Sequence, residues 1–156
     1  MIALKNILLP TDFSKPSAIA LAYAKEFAQL TQASVHVLHV VDLLRVLPWV
    51  SAEASLTLQH TVREDIEKKA ADQLQSLLSP AEKEKFRAHL VVRTGSPFVE
   101  IIRYAREQSI DLVVMGTHGR GPVAHMLLGS VAEKVVRKAP CPVLTVRHPE
   151  HEFIMP

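Results

Sequence analysis

Cysteine is almost missing from this sequence of 156 residues, in which Cys141 stands alone between Pro140 and Pro142. One cysteine cannot form an intrachain disulfide, which excludes a disulfide-held scaffold. A large excess of charge of one sign is missing as well, because the formal net charge is only +2. Such a balance makes neither a nucleic acid nor a membrane surface a favoured partner. The first residues contain no basic segment that leads into a signal-like apolar region, so we expect a cytoplasmic protein.

Linkers, internal repeats and low-complexity segments are also lacking. With 48% hydrophobic and 22% charged residues, the composition is close to that of globular domains, and the chain is long enough to bury a core. We therefore predict one domain over residues 1–147, followed by a C-terminal tail over residues 148–156.

What the chain does contain is an alternation of short apolar segments with helical patterns. Five segments are too short for a buried helix and suit buried parallel strands: residues 4–9, 34–41, 86–92, 112–115 and 143–147. Helical spacing and capping residues predict four helices. The first is capped by Ser14 and marked by Ile19, Tyr23, Phe27 and Leu30. The others are a long helix from Leu58 to Leu77, one after Ser96, and one from Ser130 to Lys138. Residues 43–50 are predicted to form a loop.

This order of elements predicts a Rossmann-like α/β fold, an open sheet of five parallel strands with helices on both faces, because parallel strands need crossover connections. In such sheets a ligand binds at the carboxyl ends of the strands, where the strand order reverses. Two loops are candidates there. One is Pro10-Thr11-Asp12 after the first strand, and the other is the glycine-containing segment after the fourth strand.

The glycine-containing segment reads Gly116-Thr-His-Gly119, then nine residues, then Gly129-Ser130. Glycine allows sharp turns and a close approach of the main chain to a ligand. A helix that begins at Ser130 would direct its free N–H groups and the positive end of its dipole at an anion. The segment therefore predicts a phosphate-binding loop, and a nucleotide is the first hypothesis for the ligand.

Together with its flanking residues, this spacing resembles the universal stress protein family. The resembling stretches are the opening Ile-Leu-Leu-Pro-Thr-Asp-Phe-Ser, the glycine pattern, and the sequences Val-Ala-Glu-Lys-Val and Ala-Pro-Cys-Pro-Val-Leu-Thr-Val-Arg after it. The likeness extends over essentially the whole chain, and it is to the ATP-binding branch, since all three glycines and the Ser130 hydroxyl are present. It implies ATP, or AMP or ADP, as the ligand and a homodimer formed through the last strand, Val143 to Arg147. Mg²⁺ is expected with the phosphates, because it needs few protein ligands and keeps several waters.

The resemblance also implies roles for individual residues. Asp12, in the loop that Pro10 and Thr11 open, would lie beside the nucleoside, where a carboxylate can accept from ribose hydroxyls or help to hold a cation. The backbone at Val40 would contact adenine, and Met115 would supply an apolar wall nearby.

The remaining implied contacts concern the phosphates. Seven residues of the glycine loop and of the helix after it would surround them: Gly116, His118, Gly119, Arg120, Gly129, Ser130 and Val131. The Ser130 hydroxyl and the Val131 N–H would donate at the start of the helix. Arg120 could reach terminal phosphates, and His118 would have a positioning role.

Some of these residues have simpler explanations. Asp12 could simply form an Asx-turn or cap the first helix, without any contact to a ligand. Arg120 could be a solvated loop charge. A metal site among the other histidines is not favoured, since His36 and His39 are three apart in a predicted strand and would point to opposite faces.

The interpretation is a nucleotide-dependent regulatory protein of the stress response, with slow or no hydrolysis. An efficient ATPase is not favoured, because no acidic residue lies between Met115 and Val131 to orient water. An adenylating enzyme is not favoured either, since residues 10–14 after the first strand contain no glycine. A genuine ATPase, another nucleotide-hydrolysing enzyme, and a scaffold that needs no nucleotide remain as alternatives. For the last strand, the alternative to a dimer is that the tail covers its edge.

Overall fold

A computed structural model of the protein describes residues 3–46, 56–117 and 128–147. The strands are β1 (Asn6–Pro10), β2 (Ser34–Val41), β3 (His89–Thr94), β4 (Leu112–Gly116) and β5 (Val143–Val146). They form one parallel sheet in the order β3-β2-β1-β4-β5. The predicted α/β architecture with a five-stranded parallel sheet is confirmed.

The described residues contain six helices: α1 (Lys15–Thr31), α2 (Leu43–Val46), α3 (Leu56–Gln75), α4 (Pro80–Lys85), α5 (Pro97–Glu107) and α6 (Ser130–Lys138). The strands bury side chains in two apolar clusters, one beneath α1 and α3 and the other beneath α5 and α6. In β1, Ile7 and Leu9 belong to the first cluster and Leu8 belongs to the second, as the strand period of two requires. Because both faces are covered, the strands read as continuous apolar segments.

The strand order reverses beside β1. This strand pairs with β2 on one side and with β4 on the other, so the chain leaves β1 in one direction and later returns to its opposite side. The loops after β1 and β4 both leave the carboxyl edge of the sheet at this switch point. Both candidate loops from the sequence therefore lie where open α/β sheets bind ligands.

Helix α1 is present as predicted, but only part of the apolar stripe that marks it in the sequence belongs to its buried face. Ala20, Ala24 and Ala28 pack on the sheet and are at most 2% exposed, whereas Tyr23 is 49% and Leu30 is 78% exposed. Residues four apart lie on one side of a helix, and a row of alanines lets the helix approach the sheet closely. Of the four marker residues, Ile19 and Phe27 pack against the cluster beneath α1 and α3, while Tyr23 and Leu30 lie on the exposed side of the helix.

The expectation of one long loop after β2 was wrong for its first part. Residues 43–46 form the short helix α2, whose start is supported by the Asp42 carboxylate, which accepts from the Leu44 N–H at 3.2 Å. The rest of the expected loop, residues 47–50, lies outside the described residues. Most other ends of strands and helices differ from prediction by one or two residues.

The predicted start of β3 was also wrong, because helix α4 stands before this strand. Pro80 stands at the first position of α4, and Ser79 and Glu82 form a reciprocal capping box, with hydrogen bonds of 3.2 and 2.8 Å. Phe86 is the buried C-cap of this helix rather than a strand residue, and β3 begins at His89.

Candidate functional site

The loop after β1 is tied to the neighbouring strand and helix. Pro10 ends β1 opposite Leu38 of β2, and the Thr11 N–H donates to the Leu38 carbonyl at 2.9 Å. The Thr11 hydroxyl accepts from the Phe13 N–H at 3.0 Å and lies 3.1 Å from the Ser17 hydroxyl of α1. Thr11 is buried, so its side chain fixes the loop from inside.

Asp12 is half-buried and forms an Asx-turn. One carboxylate oxygen accepts from the Ser14 N–H at 3.0 Å, and the Ser14 hydroxyl caps α1 by accepting from the Ser17 N–H at 3.4 Å. The prediction that Asp12 forms an Asx-turn before the first helix is therefore confirmed. It does not exclude a ligand, since a carboxylate has about four acceptor positions.

Gly116 ends β4 against the first turn of α1. A β-carbon at this position would stand 3.0 Å from the backbone carbon and 3.1 Å from the backbone oxygen of Pro16. The lack of a side chain therefore serves close packing of a helix on a strand, which is also the role of one glycine in dinucleotide-binding turns. Through this contact Gly116 holds the end of β4 beside the loop after β1.

Thr117 connects the end of β4 to the start of α6. Its N–H donates to the Val146 carbonyl of β5 at 3.0 Å, and its carbonyl accepts from the Gly129 N–H at 2.6 Å. Thr117 is only 2% exposed. The Gly129 bond returns the chain to the end of β4 and so places the start of α6 at the switch point.

Helix α6 begins at Ser130 with Gly129 as its N-cap. Gly129 has φ −65° and ψ 153°, a conformation open to every residue type, so the property that matters here is its missing side chain. A glycine has no side chain with which to bond the first amides of the helix. The Ser130 side chain is exposed, and the Val131 side chain packs against the cluster beneath α5 and α6.

Val40 and Met115 lie on one face of the sheet, both in the cluster beneath α5 and α6. Met115 is 5% exposed, and Val40 is half-buried near the carboxyl end of β2, opposite Arg93 of β3. With Val131, three predicted site residues therefore share the apolar side of the switch point.

Three predicted site residues, His118, Gly119 and Arg120, lie outside the described residues. Their implied roles at the phosphates stay predictions.

The two histidines of β2 point to opposite faces, as predicted. The His36 Nδ1 lies 2.8 Å from the Tyr104 hydroxyl of α5, while the His39 Nδ1 lies 2.8 Å from the Thr11 carbonyl oxygen. Burial, with the His89 ring stacked 4.4 Å away, lowers the pKa of His36 to about 4. Within the described ranges, no group of three or more His, Cys, Asp or Glu side chains is arranged to hold a metal.

Three residues of the site were missed by the sequence reasoning. Thr117 and Ser17 hold the loops by hydrogen bonds that span different elements, and no local pattern reports such bonds. His39 did carry a signal, since it directly precedes Val40 at the carboxyl edge, but it was considered only as a metal ligand.

None of the helices in the described ranges has the length and apolar character to cross a bilayer.

These features define an α/β protein in which the loops after β1 and β4 leave the switch point of a parallel sheet. The sequence model of the universal stress protein family matches residues 3–147, and the chain belongs to this family. Universal stress protein MJ0531 of Methanocaldococcus jannaschii is 37% identical to it over 95% of this chain and 85% of its own length. Universal stress protein MJ0577 of the same organism is 30% identical over 92% of this chain and 94% of its own.

Solved structures agree with this assignment. The structure of MJ0577 has a TM-score of 0.81 at 29% identity and covers 96% of this chain and 99% of its own. Universal stress protein UspA from Lactobacillus plantarum has a TM-score of 0.72 at 29% identity and covers 93% and 99%.

Two more distant structures of the same fold contain nucleotides. One is a universal stress protein family protein from Arabidopsis thaliana with AMP bound, 18% identical with a TM-score of 0.60, over 94% of this chain and 93% of that one. The other is a universal stress protein in complex with cAMP, 23% identical with a TM-score of 0.59, over 93% and 98%. At these identities they share the fold with this chain, and their ligands are properties of those proteins.

Proposed function

We propose that this universal stress protein binds an adenine nucleotide, ATP with Mg²⁺, in the crevice between β1 and β4. The observation that supports the proposal most is the start of α6. The Gly129 N–H bond to the Thr117 carbonyl, at 2.6 Å, holds the N-terminus of a nine-residue helix at the switch point. That N-terminus has no side chain at its N-cap and an exposed hydroxyl at Ser130, which suits an anion.

The two helices that begin at the switch point differ in what their N-termini can accept. The first turn of α1 is already capped by the Ser14 hydroxyl, follows the Asp12 carboxylate, and contains Pro16, which has no N–H. A carboxylate repels phosphate and suits ribose hydroxyls or a cation instead. We therefore assign the phosphates to α6 and the ribose to the side of Asp12.

The base would lie between these groups, against the backbone at Val40 and the Met115 side chain. Both residues border the cluster beneath α5 and α6, which gives a planar base an apolar surface. The bound AMP and cAMP in the two distant family structures support adenine as the base that this fold accommodates. Mg²⁺ would be held mainly by the phosphates and water, with Asp12 as a candidate protein ligand.

Hydrolysis is proposed to be slow or absent. The sequence between Met115 and Val131 offers no carboxylate to orient water beside a terminal phosphate. Bound nucleotide would then act by stabilising one conformation or assembly, as expected of a regulatory protein of the stress response in the cytoplasm. A genuine ATPase and a nucleotide-independent scaffold are the competing functions.

Assembly is part of the same proposal. β5 is at one end of the sheet, and an apolar edge strand is normally covered or paired. We propose that two copies pair through residues 143–147, that residues 1–147 form one domain, and that residues 148–156 are a tail to it. No nucleic acid or membrane partner is proposed.

The proposed function is tested by calorimetric titration of nucleotide-stripped protein with Mg-ATP, ADP, AMP and GTP. The variant Gly129→Ala with Ser130→Ala removes the features of the α6 N-terminus. Ser96→Ala is a matched control, because Ser96 is exposed at the N-cap of α5 and its side chain makes no capping bond. Saturable, adenine-selective binding that the double variant loses and the control keeps is the expected result. Absence of binding to the stripped wild type would favour the scaffold, and rapid release of phosphate would favour the ATPase.

A further inference from the structure

We infer that His39 is a positioning residue, which fixes through Thr11 and Phe13 the loop that presents Asp12 to the nucleoside. The inference rests on the proposed function in so far as it gives Asp12 a ligand. His39 itself is half-buried on β2 and belongs to no metal cluster among the described residues.

The loop needs such support because Phe13 has an unfavourable backbone conformation. Its φ is +63°, in the left-handed region that residues with a β-carbon seldom adopt and that glycine adopts freely. A large side chain at such a position implies that contacts of the side chain hold the backbone there.

The Phe13 ring packs on the imidazole of His39. The ring centroids are 4.4 Å apart and the planes are inclined by 33°. The Phe13 N–H donates to the Thr11 hydroxyl at 3.0 Å, which closes the turn around Asp12. His39 therefore supports the residue that follows Asp12.

His39 also holds the residue that precedes Asp12. Its Nδ1 lies 2.8 Å from the Thr11 carbonyl oxygen, and because a carbonyl can only accept, Nδ1 carries the proton and donates. This bond orients the peptide between Thr11 and Asp12. One imidazole on a rigid strand thus contacts both neighbours of Asp12, by a hydrogen bond on one side and by a ring contact on the other.

The two contacts can be separated by substitution. His39→Asn keeps a donor at nearly the position of Nδ1 and removes the ring, His39→Leu keeps apolar volume and removes the donor, and His39→Ala removes both. Phe13→Gly removes the ring contact from the opposite side while it relieves the backbone at φ +63°. His89→Ala is the control, since His89 is an exposed histidine at the amino end of β3.

The first readout is nucleoside affinity in a double-mutant cycle with Asp12→Ala. His39→Ala is expected to weaken adenosine and Mg-ATP by about tenfold in the wild-type background and by less than about twofold in the Asp12→Ala background. His39→Asn and His39→Leu should each restore part of the loss. An equal loss in both backgrounds, or no loss, would mean that His39 does not act through Asp12, and would overturn the inference.

The second readout needs no ligand. The Phe13 and Ser14 amides donate within the loop, to the Thr11 hydroxyl and to the Asp12 carboxylate, so their hydrogen exchange reports its order. Exchange of both should accelerate by about tenfold or more in His39→Ala and not in His89→Ala. Unchanged exchange would overturn the inference even if nucleotide binds. If the wild type binds no nucleotide, the proposed function fails, and the exchange rates still decide whether His39 holds the loop.

Discussion

A β-carbon built on Gly116 would stand 2.9 Å from the Cβ of Pro16, so the end of β4 approaches the first turn of α1 this closely only because residue 116 is glycine. The neighbouring atoms include backbone of α1, which cannot move aside as a flexible side chain could. This contact brings the loops after β1 and β4 close to each other at the switch point.

Gly116→Ala is therefore expected to destabilise the protein. Overpacking of this kind costs about 1–3 kcal/mol in the free energy of unfolding, because β4 or α1 must shift. Urea unfolding at pH 7 measures the loss, and nucleotide affinity should fall as well, since the two loops separate. A variant as stable as the wild type would show that the contact is not tight in solution.

Gly129→Ser should behave in the opposite way. The backbone at Gly129 is open to all residues, and serine is a better N-cap than glycine, so stability should be unchanged or slightly higher. Nucleotide affinity should nevertheless fall, because the new hydroxyl would bond the first amides of α6 that the phosphates need. Calorimetric titration beside a thermal unfolding curve separates the two effects. Retained affinity would place the phosphates elsewhere.

These two glycines also show what the sequence could and could not predict. Their spacing placed both at the switch point correctly, because strand and helix periods locate the loops. Their physical roles were not readable, since one depends on Pro16, a residue distant in the sequence, and the other on a φ angle. The sequence shows glycine in both cases, whether the residue serves a ligand or close packing.

The other errors of the sequence prediction also arise from contacts between elements that are distant in the sequence. The stripe from Ile19 to Leu30 predicted the presence of α1 correctly, but its alanines face the sheet, because close approach favours small residues. The start of β3 was misplaced because Phe86 is buried as a helix cap, and burial alone does not distinguish a strand from a cap. His39 acts through contacts with the loop after β1, and no periodic pattern encodes them.

His36 predicts a dependence of stability on pH. It is 3% exposed, and burial, with His89 adding to it, lowers its pKa to about 4, against about 6.5 in the unfolded chain. Between these values the unfolded state binds a proton that the folded state does not, so stability rises with pH across this window. As the pH falls from about 6.5 to about 4, the free energy of unfolding should decrease by up to about 3 kcal/mol from this group.

Urea unfolding at several pH values between 7 and 4.5 measures that slope. The comparison variant is His36→Leu with Tyr104→Phe, which removes the titrating group together with both ends of the 2.8 Å bond, so that neither polar partner is left buried alone. The double variant should lose most of the slope. In His89→Ala the slope should persist over a narrower pH range, because one source of repulsion is gone and the pKa of folded His36, which sets the lower end of the range, rises. An equal slope in wild type and double variant would contradict the assignment to His36.

The orientation of the backbone in β5 allows a sharp test of the proposed dimer. The carbonyls of Pro142 and Val146 accept from the N–H groups of Val113 and Thr117, so these alternate residues direct their backbone polar groups at β4 and its end. Every second residue of a strand directs its backbone polar groups to the same side. Thr145 directly precedes Val146, so its N–H and carbonyl point away from β4.

Thr145→Pro therefore removes an outward N–H without removing a hydrogen bond to β4, and proline is tolerated on edge strands for this reason. If two copies pair through β5, the variant should be a monomer at concentrations where the wild type is a dimer, as sedimentation equilibrium would measure. Thr145→Val keeps the N–H and should remain a dimer. A monomeric wild type would favour the tail as the cover of this edge. A dimer that survives Thr145→Pro would mean that the copies meet through another surface, because pairing along this strand needs the amide that proline lacks.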